Sequence, residues 1–227
     1  MTWSGHPSFS CAAVPFDLDG VLVDSAACVQ RTWRQWVTQH QLDPDRVIAL
    51  AHGRRTLDTI QLVAAHLVAT AEAAALEASE SRTTEGVFEV PGARVLLEGL
   101  PGRRWAIVTS GIRAVATLGL RHTRLPIPDV LVCADEIERR KPDPQGYLAA
   151  AARLGVAPAE CVVIEDAPAG LAAAHAAGMR AIGVAGTYPT AALRSADYVV
   201  SRLAALRIRH EPRRDELEVA LAALGKA

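Results

Sequence analysis

The sequence predicts an α/β fold, a parallel sheet core interrupted by an all-helical insertion, on three observations. Short apolar runs at 12–16, 105–109, 130–133, 161–164, 180–184 and 198–200 alternate with helical patterns at 114–121, 145–154 and 169–177. Such alternation builds right-handed β-α-β units, hence parallel strands with helices on both faces. Second, three of the runs end in reactive side chains, at Asp17, Thr109 and Asp166, and open parallel sheets bind ligands beyond the carboxyl ends of their strands. Third, from about residue 26 to residue 89 the strand pattern vanishes and only helical spacing remains.

Along the chain, residues 1–10 are polar, lack an apolar stretch of signal-peptide length, and read as a flexible N-terminus. Residues 11–25 open the core with a first buried strand. Within 26–89, Trp33, Trp36, Val37 and His40 recur at helical spacing, and Leu57, Ile60, Leu62 and Val63 mark a second amphipathic helix. Pro44 suits the first turn of a short helix, and 67–78 is Ala-rich. The two tryptophans read as core of this helical segment rather than as a platform for a substrate. Residues 90–207 return to the core pattern at Val90-Pro91-Gly92. Residues 208–227 read as a C-terminal charged helix or tail.

Composition narrows the partners. Half of the 227 residues are hydrophobic and 22% are charged, so a globular core is expected. The net charge is −1 and no basic stripe is present, which argues against a nucleic-acid partner. No run reaches the roughly 18 apolar residues of a membrane span, so no membrane association is expected and the cytoplasm is the expected location. Cys11, Cys28, Cys133 and Cys161 are far apart with no C-x-x-C, so neither a zinc site nor a disulfide framework is predicted.

The first strand delivers Asp17 and Asp19 into a turn at Gly20. Strand side chains alternate faces, so the two carboxylates share a side only if the strand ends between them; a glycine permits that turn. Two acids forced together are costly unless a cation or a shared proton relieves them, which points to hydrolytic chemistry on phosphate. The stretch Asp17-Leu18-Asp19-Gly20-Val21-Leu22-Val23-Asp24 resembles the first motif, D-x-D-G-[TV]-x-x-D, of phosphotransferases of the haloacid dehalogenase superfamily. Three more segments match in order: Ile107-Val108-Thr109-Ser110-Gly111, Lys141-Pro142-Asp143-Pro144, and Ile164-Glu165-Asp166-Ala167-Pro168-Ala169-Gly170.

The resemblance implies a Rossmann-like parallel sheet core with an inserted α-helical cap domain over 26–89. It implies that Asp17 attacks phosphorus to form an aspartyl-phosphate, while Asp19 protonates the leaving alcohol and later deprotonates water. The presence of Asp19 favours phosphoryl transfer over dehalogenation, because a departing halide needs no proton. Thr109 is expected to donate its hydroxyl to a phosphoryl oxygen, and Ser110 and Gly111 their backbone N–H groups at a helix start. Lys141 is expected to offset charge on the phosphate and on Asp17. The cofactor is expected to be Mg²⁺, held by the Asp17 and Asp166 side chains and the Asp19 carbonyl, with Glu165 a direct or water-mediated ligand.

The segment His52-Gly53-Arg54-Arg55-Thr56-Leu57-Asp58-Thr59-Ile60 resembles H-G-x-R-T-x-D-x-I of sugar and polyol phosphatases acting on 2-deoxyglucose 6-phosphate and glycerol phosphates. By that resemblance His52, Arg55 and Thr56 face the catalytic acids; a polar helix start capped by Thr56 is the alternative. The expected activity is Mg²⁺-dependent hydrolysis of a small sugar or polyol phosphate, a small phosphorylated metabolite being the partner. A phosphosugar mutase resembling β-phosphoglucomutase is the runner-up, and a non-catalytic binding protein on the same fold is a third reading. Pro15 is the one oddity, a residue without a backbone donor just before the proposed nucleophile.

Overall fold

The structure, a computed structural model, describes residues 8–51 and 56–221. The chain opens with β1 (Ser8–Cys11) and β2 (Val14–Phe16), turns through β3 (Val23–Asp24), and enters four helices: α1 (Ala26–Gln39), α2 (Pro44–Ala51), α3 (Thr56–Val63) and α4 (Ala69–Glu80). It returns through β4 (Phe88–Glu89) and α5 (Ala93–Glu98). Then β5 (Trp105–Val108), α6 (Arg113–Thr123), β6 (Val130–Val132), α7 (Gln145–Leu154), β7 (Val162–Glu165), α8 (Pro168–Ala176), β8 (Arg180–Val184) and β9 (Tyr198–Val200) follow in alternation. The last described elements are β10 (Leu206–Glu211) and β11 (Glu216–Leu221).

Six strands form a parallel sheet in the order β6-β5-β2-β7-β8-β9. The order reverses at β2, so a crevice opens beyond its carboxyl end, between β5 and β7. Successive residues of each strand point to opposite faces. Phe16, Ile107, Ile164 and Ile182 fill one core, while Ala106, Val108, Val163 and Ala181 pack in the other with Tyr147 of α7 and Leu171 of α8. At Pro15 the sheet shows the mark of the missing donor. β2 pairs with β5 along all three residues but with β7 only at Phe16↔Ile164, flanked by an isolated bridge at Ala13↔Cys161. The ladder resumes two residues after Pro15, where the Asp17 N–H donates to the Ile164 carbonyl at 2.9 Å.

The helical insertion has a core of its own, built on Trp33, Trp36, Val37, Val47, Ile60 and Leu76. The indoles of Trp33 and Trp36 meet edge to face at 5.5 Å, a favourable geometry for aromatic pairs. The two chain crossings between core and insertion lie side by side, since β3 and β4 pair antiparallel as Val23↔Glu89 and Asp24↔Phe88.

The tail departs from expectation. Instead of the charged helix or tail expected over 208–227, the described residues to 221 form an antiparallel hairpin of β10 and β11, and β1 joins its edge in a sheet of order β1-β11-β10. Residues 8–10, expected to be flexible, are thereby paired. The reason is strict alternation. Leu206, Ile208, Leu217, Val219 and Leu221 fall on one face and are buried in the main core, while Arg207, Arg209, Glu216 and Glu218 fall on the other.

Leu217 is fully buried at the centre of this small sheet. Leu217→Ala should therefore destabilise the protein by about 2–5 kcal/mol, the cost of a large-to-small change in a packed core. The measurement is urea unfolding; an unchanged midpoint would mean that the hairpin is a detached appendage.

Candidate functional site

The carboxyl ends of β2, β5 and β7 converge on one cleft. Asp17 follows β2 directly, and the chain then curls through a tight turn in which the Gly20 N–H donates to the Val23 carbonyl at 2.8 Å and the Val23 N–H to the Leu18 carbonyl at 3.0 Å. Gly20 has φ of +80°, and a Cβ there would lie 1.9 Å from Asp166 Oδ2. Both the backbone conformation and the approach of the second acidic loop demand glycine. The turn brings Asp17 and Asp19 to the same cavity, of about 240 Å³. That is just below the usual range of ligand pockets, roughly 300–1,000 Å³, and suits a small ester.

Lys141 joins the strands at the floor. Its Nζ donates to Asp17 Oδ1 at 2.5 Å, to Glu165 Oε1 at 2.7 Å and to the Val108 carbonyl at 3.0 Å. Burial alone would lower its pKa, but Asp17 and Glu165 outweigh that and hold the ammonium well above the usual lysine value. Burial pushes the Asp17 carboxyl up; Lys141 opposes the shift, and Glu165, Asp166 and Asp19 add to it. The Asp166 carboxyl is pushed up to about 7, first by burial and then by Glu165, against a hydrogen bond from Thr187.

Asp19 is held from two sides. The Ser25 hydroxyl donates to its Oδ1 at 2.5 Å and the Thr109 hydroxyl to its Oδ2 at 3.5 Å. Although Asp19 is open to the cleft, surrounding protein displaces enough water to raise its pKa, with the Ser25 hydrogen bond, Lys141 and Thr109 opposing. Ser25 stands at the start of α1, where its hydroxyl would ordinarily cap the helix. It makes no such bond, and the Ala26 N–H is instead met by Asp24 Oδ1. Thr109 is buried, donating to Asp19 and accepting from the Gly111 N–H at 3.0 Å. The surface of the cleft at this corner is made by Ser110 and Gly111.

Three buried acids, Asp17, Glu165 and Asp166, each offer one oxygen within 4.8 Å of the others, an all-oxygen set of the kind hard divalent cations take. They are not equivalent. Glu165 Oε1 accepts from Lys141 and from the Tyr147 hydroxyl at 3.0 Å, and Oε2 accepts from the Asp166 and Ala167 N–H groups, both at 2.9 Å. Its roughly four lone-pair positions are used, so the residues fit a cation whose direct side-chain ligands are Asp17 and Asp166, with Glu165 behind them.

Of the cap residues singled out from sequence, Thr56 lines the cleft; His52 and Arg55 lie outside the described residues. Sequence reasoning gave no role to Ser25, Tyr147, Thr187 and Glu80, nor to Asp24, the last acid of the first motif; all but Tyr147 line the cavity. Trp33 belongs to the cap core as expected, and one edge of it reaches the cavity as well.

Comparisons with known proteins identify the family. Residues 11–178 match the family model described as haloacid dehalogenase-like hydrolase. The chain is 40% identical over 214 residues to hexitol phosphatase A of Escherichia coli, covering 90% of this chain and 97% of that protein. It is 34% identical over 193 residues to glycerol-1-phosphate phosphohydrolase 2 of Saccharomyces cerevisiae, covering 80% and 77%. Among solved structures, a hydrolase from Pseudomonas syringae superposes with a TM-score of 0.71 at 29% identity, covering 85% of this chain and 94% of that one.

Gly170 sits where a Cβ would lie 1.5 Å from Glu165 Oε1. Gly170→Ala should displace Glu165 and, through it, Lys141. A displacement of about 1 Å at such a site costs on the order of 10²-fold in rate. Phosphate-release assays on the folded variant check this; a rate near that of the wild type would show that the position of Glu165 is immaterial.

Proposed function

The chain belongs to the haloacid dehalogenase-like hydrolases, and from that premise we propose that it is a phosphoric monoester hydrolase that cleaves a small sugar or polyol phosphate through an aspartyl-phosphate on Asp17. The observation that carries the reading is the pairing of two unlike acids in one cleft. Asp17 is clamped by a lysine, whereas Asp19 is held by two hydroxyls in surroundings that raise its pKa. One is suited to attack and the other to proton transfer.

In the first half-reaction Asp17 attacks phosphorus while the phosphorus–oxygen bond to the alcohol breaks. The proton on Asp19 passes to the leaving oxygen. In the second, Asp19 takes a proton from water, which attacks phosphorus and displaces the Asp17 carboxylate, regenerating both acids. Lys141 keeps the Asp17 oxygen aimed and offsets the gathering negative charge. The N–H groups of Ser110 and Gly111 are assigned to the phosphoryl oxygens. When bound, a divalent cation, taken as Mg²⁺, would supply further charge neutralisation at the phosphoryl group, with Asp17, Asp166 and the Asp19 carbonyl as its ligands. His52, Arg55 and Thr56 are assigned to the substrate's distal end. The sugar and polyol phosphatases among the relatives support that substrate class.

The proposal is tested by measuring phosphate release from hexitol 6-phosphates and glycerol phosphates beside isomerisation of β-glucose 1-phosphate primed with its bisphosphate. Phosphate release is expected, abolished by EDTA and restored by Mg²⁺. Isomerisation without release would replace the reading with the mutase, and metal-independent release would refute the ligand assignment.

The two roles of Asp19 separate with an aryl phosphate, whose leaving group departs without a proton. Asp19→Asn should slow steady-state turnover by about 10²–10⁴-fold yet release a burst of nitrophenol close to one equivalent of enzyme, read by rapid mixing. A slow, burst-free reaction would remove Asp19 from the second step.

A further inference from the structure

Glu80 ends α4 and lines the same cavity as Asp17 and Asp19. It is the one charged side chain that helices α1 to α4 contribute to the lining among the described residues. Among the described residues, no hydrogen-bond or ion-pair partner meets its carboxyl there. Its pKa is pushed up to about 7, by burial first and then by the negative fields of Asp19 and Glu77. A half-buried carboxylate facing other acids, with no donor among the described residues, costs stability. A purely structural role would not repay that cost, whereas a ligand carrying hydrogen-bond donors would.

The polar neighbourhood narrows what that ligand carries. The phosphoryl group is assigned to the part of the cavity around Lys141, Ser110 and Gly111. On the cap side Glu80 is joined by Asp24, by the hydroxyl of Thr56 and by the apolar Val29 and Trp33. Among the described residues there, Glu80 and Asp24 are hydrogen-bond acceptors that attract hydroxyl donors, while Val29 and Trp33 offer apolar surface to the carbon chain. We propose that Glu80 is a specificity-determining residue that accepts hydrogen bonds from the hydroxyls of a polyhydroxylated leaving group. This deepens the phosphatase reading and rests on it.

The test compares Glu80→Gln with wild type, both with Mg²⁺, on sorbitol 6-phosphate, p-nitrophenyl phosphate and 2-phosphoglycolate. In the variant, kcat/KM for sorbitol 6-phosphate should fall relative to that for the aryl ester by about 10- to 100-fold, the range of a hydrogen bond to a charged group. Most of the fall should appear in KM. The ratio of 2-phosphoglycolate to sorbitol 6-phosphate should rise. Thermal melting should be unchanged or higher, since the amide removes a buried charge. Parallel losses on all three substrates, leaving both ratios at their wild-type values, would overturn the inference, as would a lowered melting point accompanied by such parallel losses. A wild-type enzyme that hydrolyses none of the three would instead overturn the phosphatase reading itself, so the two failures are distinct.

Discussion

One ammonium group holds the site together. Lys141 reaches the residue after β2, the last residue of β7 and the last carbonyl of β5, and so ties three adjacent strand ends to a single cation. Asp17, Glu165 and Asp166 crowd within a ligand sphere of one another, and removing one partner of a buried pair leaves an uncompensated charge worth about 3–5 kcal/mol. Apolar residues of similar volume would stabilise such a junction at least as well. The arrangement is therefore poor economy for folding and good economy for chemistry on an anion: a negative cluster that needs more positive charge than the chain supplies.

Within that cluster, adjacent residues have diverged in use. Glu165 is the last residue of β7 and turns into the second core, where its carboxylate is satisfied by a lysine, a phenol and two backbone N–H groups. Asp166, one residue on, faces Gly20 and the cleft. The close approaches at Gly20 and Gly170 belong to the same economy. Each glycine leaves the space of a missing side chain to one of these acids, so the packing of the loops and the placement of the charges are one constraint.

What could be read from sequence follows from how local the cause is. The six parallel strands and the helices between them were legible because period and apolarity are local, and β8 and β9 fall at 180–184 and 198–200 as the runs predict. Asp17, Asp19, Lys141, Glu165 and Asp166 were legible because four motifs occur in order. The hairpin was misread because its charged residues, Arg207, Arg209, Glu216 and Glu218, suggested a solvated helix, while the period-2 signal in Leu206, Ile208, Leu217, Val219 and Leu221 was present throughout. Ser25, Tyr147 and Glu80 were not legible at all. Each acts on an acid 6 to 61 positions away, a meeting that only the folded chain creates. Ser25 in particular wears the sequence signature of a helix cap and does something else.

That last residue links chemistry to the cap. Core and cap are joined through a two-stranded ribbon at Val23–Asp24 and Phe88–Glu89, steadied on one side by Arg94 on Glu89 at 2.7 Å and on the other by Arg31 on the Glu85 carbonyl. Ser25 stands between that ribbon and α1, and its hydroxyl is the shorter of the two hydrogen bonds on Asp19. Any rotation of the cap about the ribbon carries Ser25 and Glu80 with it, while Lys141, Asp17 and Thr109 stay with the sheet. Asp17, the proposed nucleophile, is thus tied to the sheet through Lys141, while Asp19, the proposed proton carrier, shares a hydrogen bond with Ser25 at the entry to the helical insertion. A leaving group that holds the cap down through its hydroxyls would also hold Asp19 in line. In such a design the recognition of the alcohol and the delivery of its proton are the same mechanical event.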